Sequence, residues 1–421
     1  MMNGATRREM LGATLATGAL AAPVSALSAS AGKPDDETYW REVAKNYDLP
    51  RGIVQLENGN WGAMARPVLA AYQRHLARVN TETSFYSRRG FGADAMAVRA
   101  RVAAEIGAAP EEIAFTRGAT EALVTLIGGY NRLRAGDKLL YADLDYDSMQ
   151  AAFRSLARRH GLEAVSIAIP EPASHQGVID AYAAALAANP RVKLMLLTHV
   201  SHRTGLVMPV REIVAMARQR GVDVIVDSAH AWGQLDFRVG DLGADFVGFT
   251  CQKWMGAPLG VGFAYIRRAA LDAIDVNIAE DSGHDSTQVR VHTGTTDMGA
   301  LLTVGDAVDF HRSIGIRAKE ARLRYLRDLW AEQARVIPGV EVLTPADPRM
   351  TCALTSFRLT GRTSMADNRA IAKALLDRFG IFTVERDGPA RGCCVRVTPA
   401  VFTSADDVEK LVAALHVLAR G

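Results

Sequence analysis

The stretch VDVIVDSAHAWGQLDFRVGDLGADFVGFTCQKWMGAPLGVGFAYI, residues 222–266, decides the fold. It contains three short apolar, β-branched runs, 222–226, 245–249 and 260–266, each bounded by Gly, Asp or Pro. Runs of this length and composition read as buried strands of an α/β sheet. Asp227 closes the first run, and Lys253 follows the second just ahead of the turn Gly256, Ala257, Pro258. An acid and an amine at the ends of neighbouring strands both point into the crevice at the carboxyl edge of the sheet, where open α/β folds bind ligands.

That pairing suits a pyridoxal 5'-phosphate (PLP) site, which needs a lysine for the Schiff base and an acid beside the ring nitrogen. Lys253 has to be neutral to attack an aldehyde, so its surroundings must depress an amine that is otherwise charged at neutral pH. Phe249, Trp254 and Met255 supply apolar company. Asp227 has to remain an anion, and His230 stands three residues on, able to lie against the cofactor or to orient the acid. A second element, EIAFTRGATEALVTLIGGY at 112–130, reads as a strand, a turn at Gly118 and a helix opening at Ala119 and Thr120. The free N–H groups and positive dipole end of such a helix form an anion site for the cofactor phosphate.

Taken together these segments resemble the class V aminotransferase family of fold-type I PLP enzymes, in its isopenicillin N epimerase-like branch. The matching residues are Asp227, Ser228, Ala229, His230 at the first strand end, then Thr250, Cys251, Gln252, Lys253, and Gly118, Ala119, Thr120 in the phosphate loop. The resemblance runs from about residue 50 to the C-terminus. It implies cofactor contacts from Thr250, Gln252 and His230, and a Tyr146 that covers the ring face and presents a phenol opposite Lys253. It also implies that His202 or its neighbour Arg203 stands where relatives carry an Asn toward the phenolic oxygen of PLP. Gly294 and Thr295 would reach the phosphate of a neighbouring subunit, so a homodimer is expected. Arg396 on the last strand would take the substrate carboxylate, and Asn58, Asn60 and Trp61 would border the substrate entrance.

Composition bounds the alternatives. With 49% hydrophobic and 23% charged residues the chain is an ordinary globular protein. A net charge of +3 with no dense basic run gives no nucleic-acid face. Four cysteines, Cys251, Cys352, Cys393 and Cys394, are too scattered for a zinc site or a disulfide framework, and all four are expected as buried fillers. Residues 1–31 differ from the rest: TRREML at 6–11 precedes a weakly apolar, Ala-rich segment with Pro23, which reads as a twin-arginine signal around Arg7 and Arg8 and not as a membrane span. Export by the twin-arginine machinery to the periplasm is the expectation.

The remaining chain is expected to form an N-terminal segment, 32–60, packed on a small domain, a large PLP-binding domain, 61–305, and a small α+β domain, 306–421. The large domain is read as α/β, a mostly parallel central sheet with helices on both faces. The expected activity is aminotransferase-type chemistry at the Cα of an amino acid or a peptide-linked amino acid. Epimerisation of the isopenicillin N type, or modification of a pyoverdine glutamyl side chain by an exported relative, are the alternatives. Cysteine desulfurase chemistry ranks below these, because Cys393 and Cys394 fall at a strand start and not on a flexible loop, and a non-catalytic binding protein ranks last.

Overall fold

The computed structural model describes residues 32–281 and 283–420, so the segment read as an export signal lies outside the described residues. A two-residue strand β1 (Val54–Gln55) precedes seven strands of a central sheet, β2 (Ile113–Thr116), β3 (Lys138–Ala142), β4 (Glu163–Ile167), β5 (Val192–Thr198), β6 (Asp223–Asp227), β7 (Phe246–Thr250) and β8 (Gly262–Ile266). Five more follow: β9 (Val340–Val342), β10 (Thr355–Leu359), β11 (Ile381–Phe382), β12 (Val384–Arg386) and β13 (Cys394–Val397).

The central sheet runs in the order β2-β8-β7-β6-β5-β3-β4, parallel throughout except for β8, which is antiparallel to both neighbours. The exception has a simple cause. The connection from β7 to β8 contains no helix and is too short for a crossover, so the chain has to reverse beside itself. Lys253 lies inside that reversal.

Burial follows the two-residue period of a strand. Leu194, Leu196, Ile225 and Phe246 enter one core with the helices Ala119–Gly129 and Asp147–His160. Met195, Leu197, Val224, Val226 and Val247 enter the opposite core with the helices Phe91–Ile106, His175–Ala188 and Val210–Gln219. By the same period Asp227 shares the face of Ile225, the one covered by the helix that opens at Ala119.

Two glycines allow that helix to start against the sheet. Gly118 has φ of 150°. A Cβ on Gly262 would stand 2.5 Å from the Gly118 carbonyl carbon and equally close to the Phe249 oxygen, so no larger residue fits between the turn and β8.

A second, smaller sheet has the antiparallel order β12-β13-β10-β9, with the helices Ile316–Arg335, Met365–Phe379 and Ala405–Leu418 packed on it through Leu326, Trp330, Leu375, Val408 and Leu411. Ser404 caps the last helix through Asp407 in a capping box. Strand β1 pairs in parallel with β11 and Leu56 enters this second core, so the N-terminal segment is built into the smaller unit.

Some sequence-based bounds shift. The first two runs of the opening stretch form strands one residue later than read, and the third begins only at Gly262. The first helix is Glu37–Ala44. The helix Arg66–Arg89 runs through a kink at Thr83, whose φ is 46°. The domain boundary expected at 305 falls within the helix Met298–Ile314, which packs on Arg66–Arg89 and Phe91–Ile106 of the larger unit. Cys251, Cys352 and Cys394 are buried, whereas Cys393, expected to be buried with them, is only partly covered; all four are free thiols.

Candidate active site

A crevice of about 870 Å³ opens at the carboxyl edge of the central sheet. Its walls come from the helix start at Gly118, Ala119 and Thr120, the loop at Tyr146, the ends of β5, β6 and β7, and the second unit at Arg386 and Arg396. Gly59 and Asn60 of the N-terminal segment close one side.

Asp227 is buried at the end of β6, where its Oδ1 accepts a 2.9 Å hydrogen bond from the Ala229 N–H. Burial pushes its carboxyl up, while that N–H and the Lys253 amine pull it back. Burial depresses the Lys253 amine to about 8; Asp227 opposes the shift, and Arg396 and Arg386 add to it. The Lys253 Nζ lies 2.8 Å from His230 Nε2. Burial first, then Lys253 and Arg396, hold His230 well below its ordinary range, so it is neutral. When Nε2 accepts from Lys253, the ring proton sits on Nδ1, a buried atom without a partner.

The turn that carries Lys253 is fastened from behind. Gly62 N–H donates to the Gln252 oxygen at 2.8 Å, and a Cβ on Gly62 would collide with the Lys253 oxygen. Buried Lys319, on the helix Ile316–Arg335, donates to the Trp254 oxygen and lies 2.9 Å from His311 Nδ1. His311 Nε2 in turn lies 2.8 Å from the Met255 oxygen. Thr250 Oγ1 donates to Gln252 Oε1 at the front of the same turn.

Of the adjacent pair left open by the sequence, His202 lines the crevice and Arg203 turns away to bridge Asp147 and Asp387. The His202 ring is stacked on the His230 side at 6.4 Å, and Tyr146 stands edge-on to it at 5.4 Å. Asn60 lines the crevice, but Asn58 is buried, with its side chain donating 2.8 Å to the Thr398 oxygen, and Trp61 is exposed outside the lining. Gly294 and Thr295 lie exposed and apart from the crevice of a single chain.

Arg396 is 1% exposed and already engaged: Nη2 donates to Glu57 Oε1 at 2.6 Å and Nη1 to the His202 oxygen at 2.7 Å. Gly59 lies flat on the guanidinium, where a Cβ would come within 2.8 Å of Cζ. Glu57 and Arg386 were not singled out from the sequence. Glu57 stands one residue before Asn58 in a polar loop, and its pairing with a residue near the C-terminus leaves no local signal.

A profile of the family described as Aminotransferase class-V matches residues 63–411. The chain belongs to the class V aminotransferase family. It is 30% identical to the isopenicillin N epimerase of Streptomyces clavuligerus over 90% of this chain and 98% of that one. It is also 28% identical to a probable cysteine desulfurase of Vibrio cholerae, over 76% and 81% of the two chains. Among solved structures, a cysteine desulfurase from Escherichia coli superposes with a TM-score of 0.76 at 19% identity, covering 90% of this chain and 98% of that one, which shows the fold-type I architecture.

The family's cofactor is PLP, and the crevice fits it. The helix start at Ala119 has no side-chain cap and its first residues line the crevice, as a phosphate site requires. Asp227 is a buried carboxyl placed to pair with a protonated ring nitrogen, Lys253 an amine already eased toward its neutral form, and the unpartnered His230 Nδ1 a donor.

Proposed function

We propose that this PLP-dependent enzyme of class V works at the Cα of an amino acid or of a peptide-linked amino acid, by aminotransferase-type chemistry. The observation that carries the reading is the Lys253 amine, buried, depressed to about 8 and held 2.8 Å from a neutral His230. Such an amine serves as general base near neutral pH, because catalytic pKa values work best close to the operating pH.

PLP, when bound, supplies an aldehyde that captures an amine and a ring that accepts the electron pair released at Cα. The protein's part is positional and electrostatic. Gly118, Ala119 and Thr120 would hold the phosphate, with Thr250 and Gln252 beside them. Asp227 would hold the proton at the ring nitrogen. His202 and His230 would stand beside the ring, and Tyr146 would cover its open face. Lys253 would take and return a proton at the substrate Cα, and the buried walls would limit the access of bulk water there.

Epimerisation is the second reading. The near full-length match to an isopenicillin N epimerase favours it, and Tyr146 is the available proton donor across from Lys253. Desulfurase chemistry fits the thiols poorly: burial pushes Cys394 up to about 12 and raises Cys393 as well. To separate the first two readings, holoenzyme is incubated with a panel of amino acids in deuterated water. Transamination is expected to give Cα exchange together with a keto product and a spectral change of the cofactor that a keto acid reverses. Exchange with inversion and no keto product would replace it by epimerisation.

The twin-arginine reading places the mature enzyme in the periplasm, and the exposed Gly294–Thr295 turn belongs in a homodimer where it faces the neighbour's phosphate. Among the described residues no helix is long and apolar enough to cross a membrane. In cell fractionation the full chain is expected in the periplasm and an Arg7→Lys, Arg8→Lys chain in the cytoplasm; equal distribution would remove the export reading. Sedimentation of the purified protein at the mass of one chain would remove the dimer.

A further inference from the structure

Arg203 is a cation shared between the two units of the fold. Its side chain is 2% exposed, with Nη2 donating to Asp147 and Nη1 donating to Asp387, both to the carbonyl oxygen and, at 2.6 Å, to Oδ1. Asp147 opens the helix Asp147–His160 of the larger unit, and Asp387 follows β12 of the smaller one. Both carboxylates line the crevice and are 62% exposed, so the buried guanidinium, not a surrounding wall, is what fixes them. Gly388 lets the units close on this side chain: its φ is 96°, and a Cβ there would collide with the guanidinium.

The residue before Asp147 gives the bridge a role. Tyr146 is the N-cap of the helix; its carbonyl accepts from the N–H groups of Met149 at 2.8 Å and Gln150 at 3.0 Å, but its side chain makes no capping bond. The backbone ahead of it is pinned, because Asp145 accepts from the Ala142 N–H at 2.7 Å and the Thr198 N–H at 2.8 Å. Tyr146 itself is held through two neighbours, the His202 ring in space and Asp147 in the chain. The smaller unit holds both: Arg396 donates to the His202 oxygen at 2.7 Å, Ser356 Oγ to the Arg203 oxygen at 2.6 Å, and Arg203 joins Asp147 to Asp387.

The units also have a tie that runs through other residues. Arg358 of β10 donates to Glu171 of the larger unit at 2.8 Å and to the Cys393 oxygen at 2.8 Å, and the Arg391 N–H donates to Glu171 at 3.0 Å. Removing Arg203 therefore leaves the smaller unit fastened, and the two ties can be cut separately.

We propose that Arg203 is a positioning residue that sets Tyr146 at the crevice only while the smaller unit is docked. The guanidinium suits this task because its planar fork gives one arm to each carboxylate, which the single nitrogen of a lysine cannot do with the same geometry. The inference deepens the reading of Tyr146 as the cover of the cofactor ring and rests on that reading for its spectroscopic arm alone.

The test reads amide hydrogen exchange at Met149 and Gln150 and the visible circular dichroism of bound PLP in the holoenzyme. Arg203→Gln is expected to speed exchange at these amides by ~10-fold, the factor for losing a charge-assisted hydrogen bond. Asp387→Ala, made in the smaller unit, is expected to speed it in the same direction in the larger one, and Arg203→Lys to fall between Arg203→Gln and the wild type. In the first two variants the cofactor's dichroism should move toward that of Tyr146→Ala. Glu171→Gln, which cuts the other tie, is expected to match the wild type in both measurements. Unchanged exchange in Arg203→Gln and Asp387→Ala would overturn the proposal. So would an equal rise in Glu171→Gln, which would mean general loosening, or a lower melting temperature with exchange and dichroism as in the wild type, which would mean a purely structural bridge. If Tyr146→Ala leaves the dichroism unaltered, the ring-cover reading fails, and the exchange rates alone decide Arg203.

Discussion

Replacing Lys253 by Ala is expected to lower turnover by about 1,000-fold or more and to abolish the borohydride-sensitive visible band of the bound cofactor, because nucleophile and general base are lost together. The fold should survive. A lysine whose amine is depressed on folding carries a penalty whenever it is protonated, so the wild-type apoprotein gains stability as pH rises from about 8 toward the ordinary lysine range. The variant lacks this term, and its apoprotein is expected to be no less stable at neutral pH. Cofactor uptake by wild-type apoprotein should accelerate as pH passes through about 8, where the amine becomes neutral, and the variant should show no such rise. Full activity in Lys253→Ala would place the reactive amine elsewhere.

Asp227→Asn is the second large effect. The side chain keeps its size and the Ala229 contact at Oδ1, but loses the charge. A neutral amide cannot hold the proton that makes the ring an electron acceptor, so kcat is expected to fall ~100- to 1,000-fold, the range for losing one preorganised electrostatic partner in a buried site. Phosphate contacts at Gly118 to Thr120 are untouched, so the variant should still bind PLP, with an altered absorbance spectrum. Loss of cofactor binding with turnover of the remaining holoenzyme intact would contradict this role.

The backbone scaffold of the site was legible because each part of it has a local signature. Runs buried on both faces read as strands, and the polar residues that end them, Asp227 and Thr250, fall at the crevice edge. Their polarity is also why 222–226 and 245–249 were read one residue short. The three-residue β9 has little to announce it, since a short alternation of Val and Glu after a turn carries little periodic signal. What the sequence hides is long-range pairing. Nothing near Glu57 announces Arg396, nothing near Arg203 announces Asp147 and Asp387, and so the facing of His202 could not be read.

Lys319 and His311 bolt the long helix of the smaller unit to the two residues that follow Lys253. A hinge motion that turned this helix would drag the reactive side chain with it. Were the cleft to open by such a motion, the base would leave its working position in the same movement.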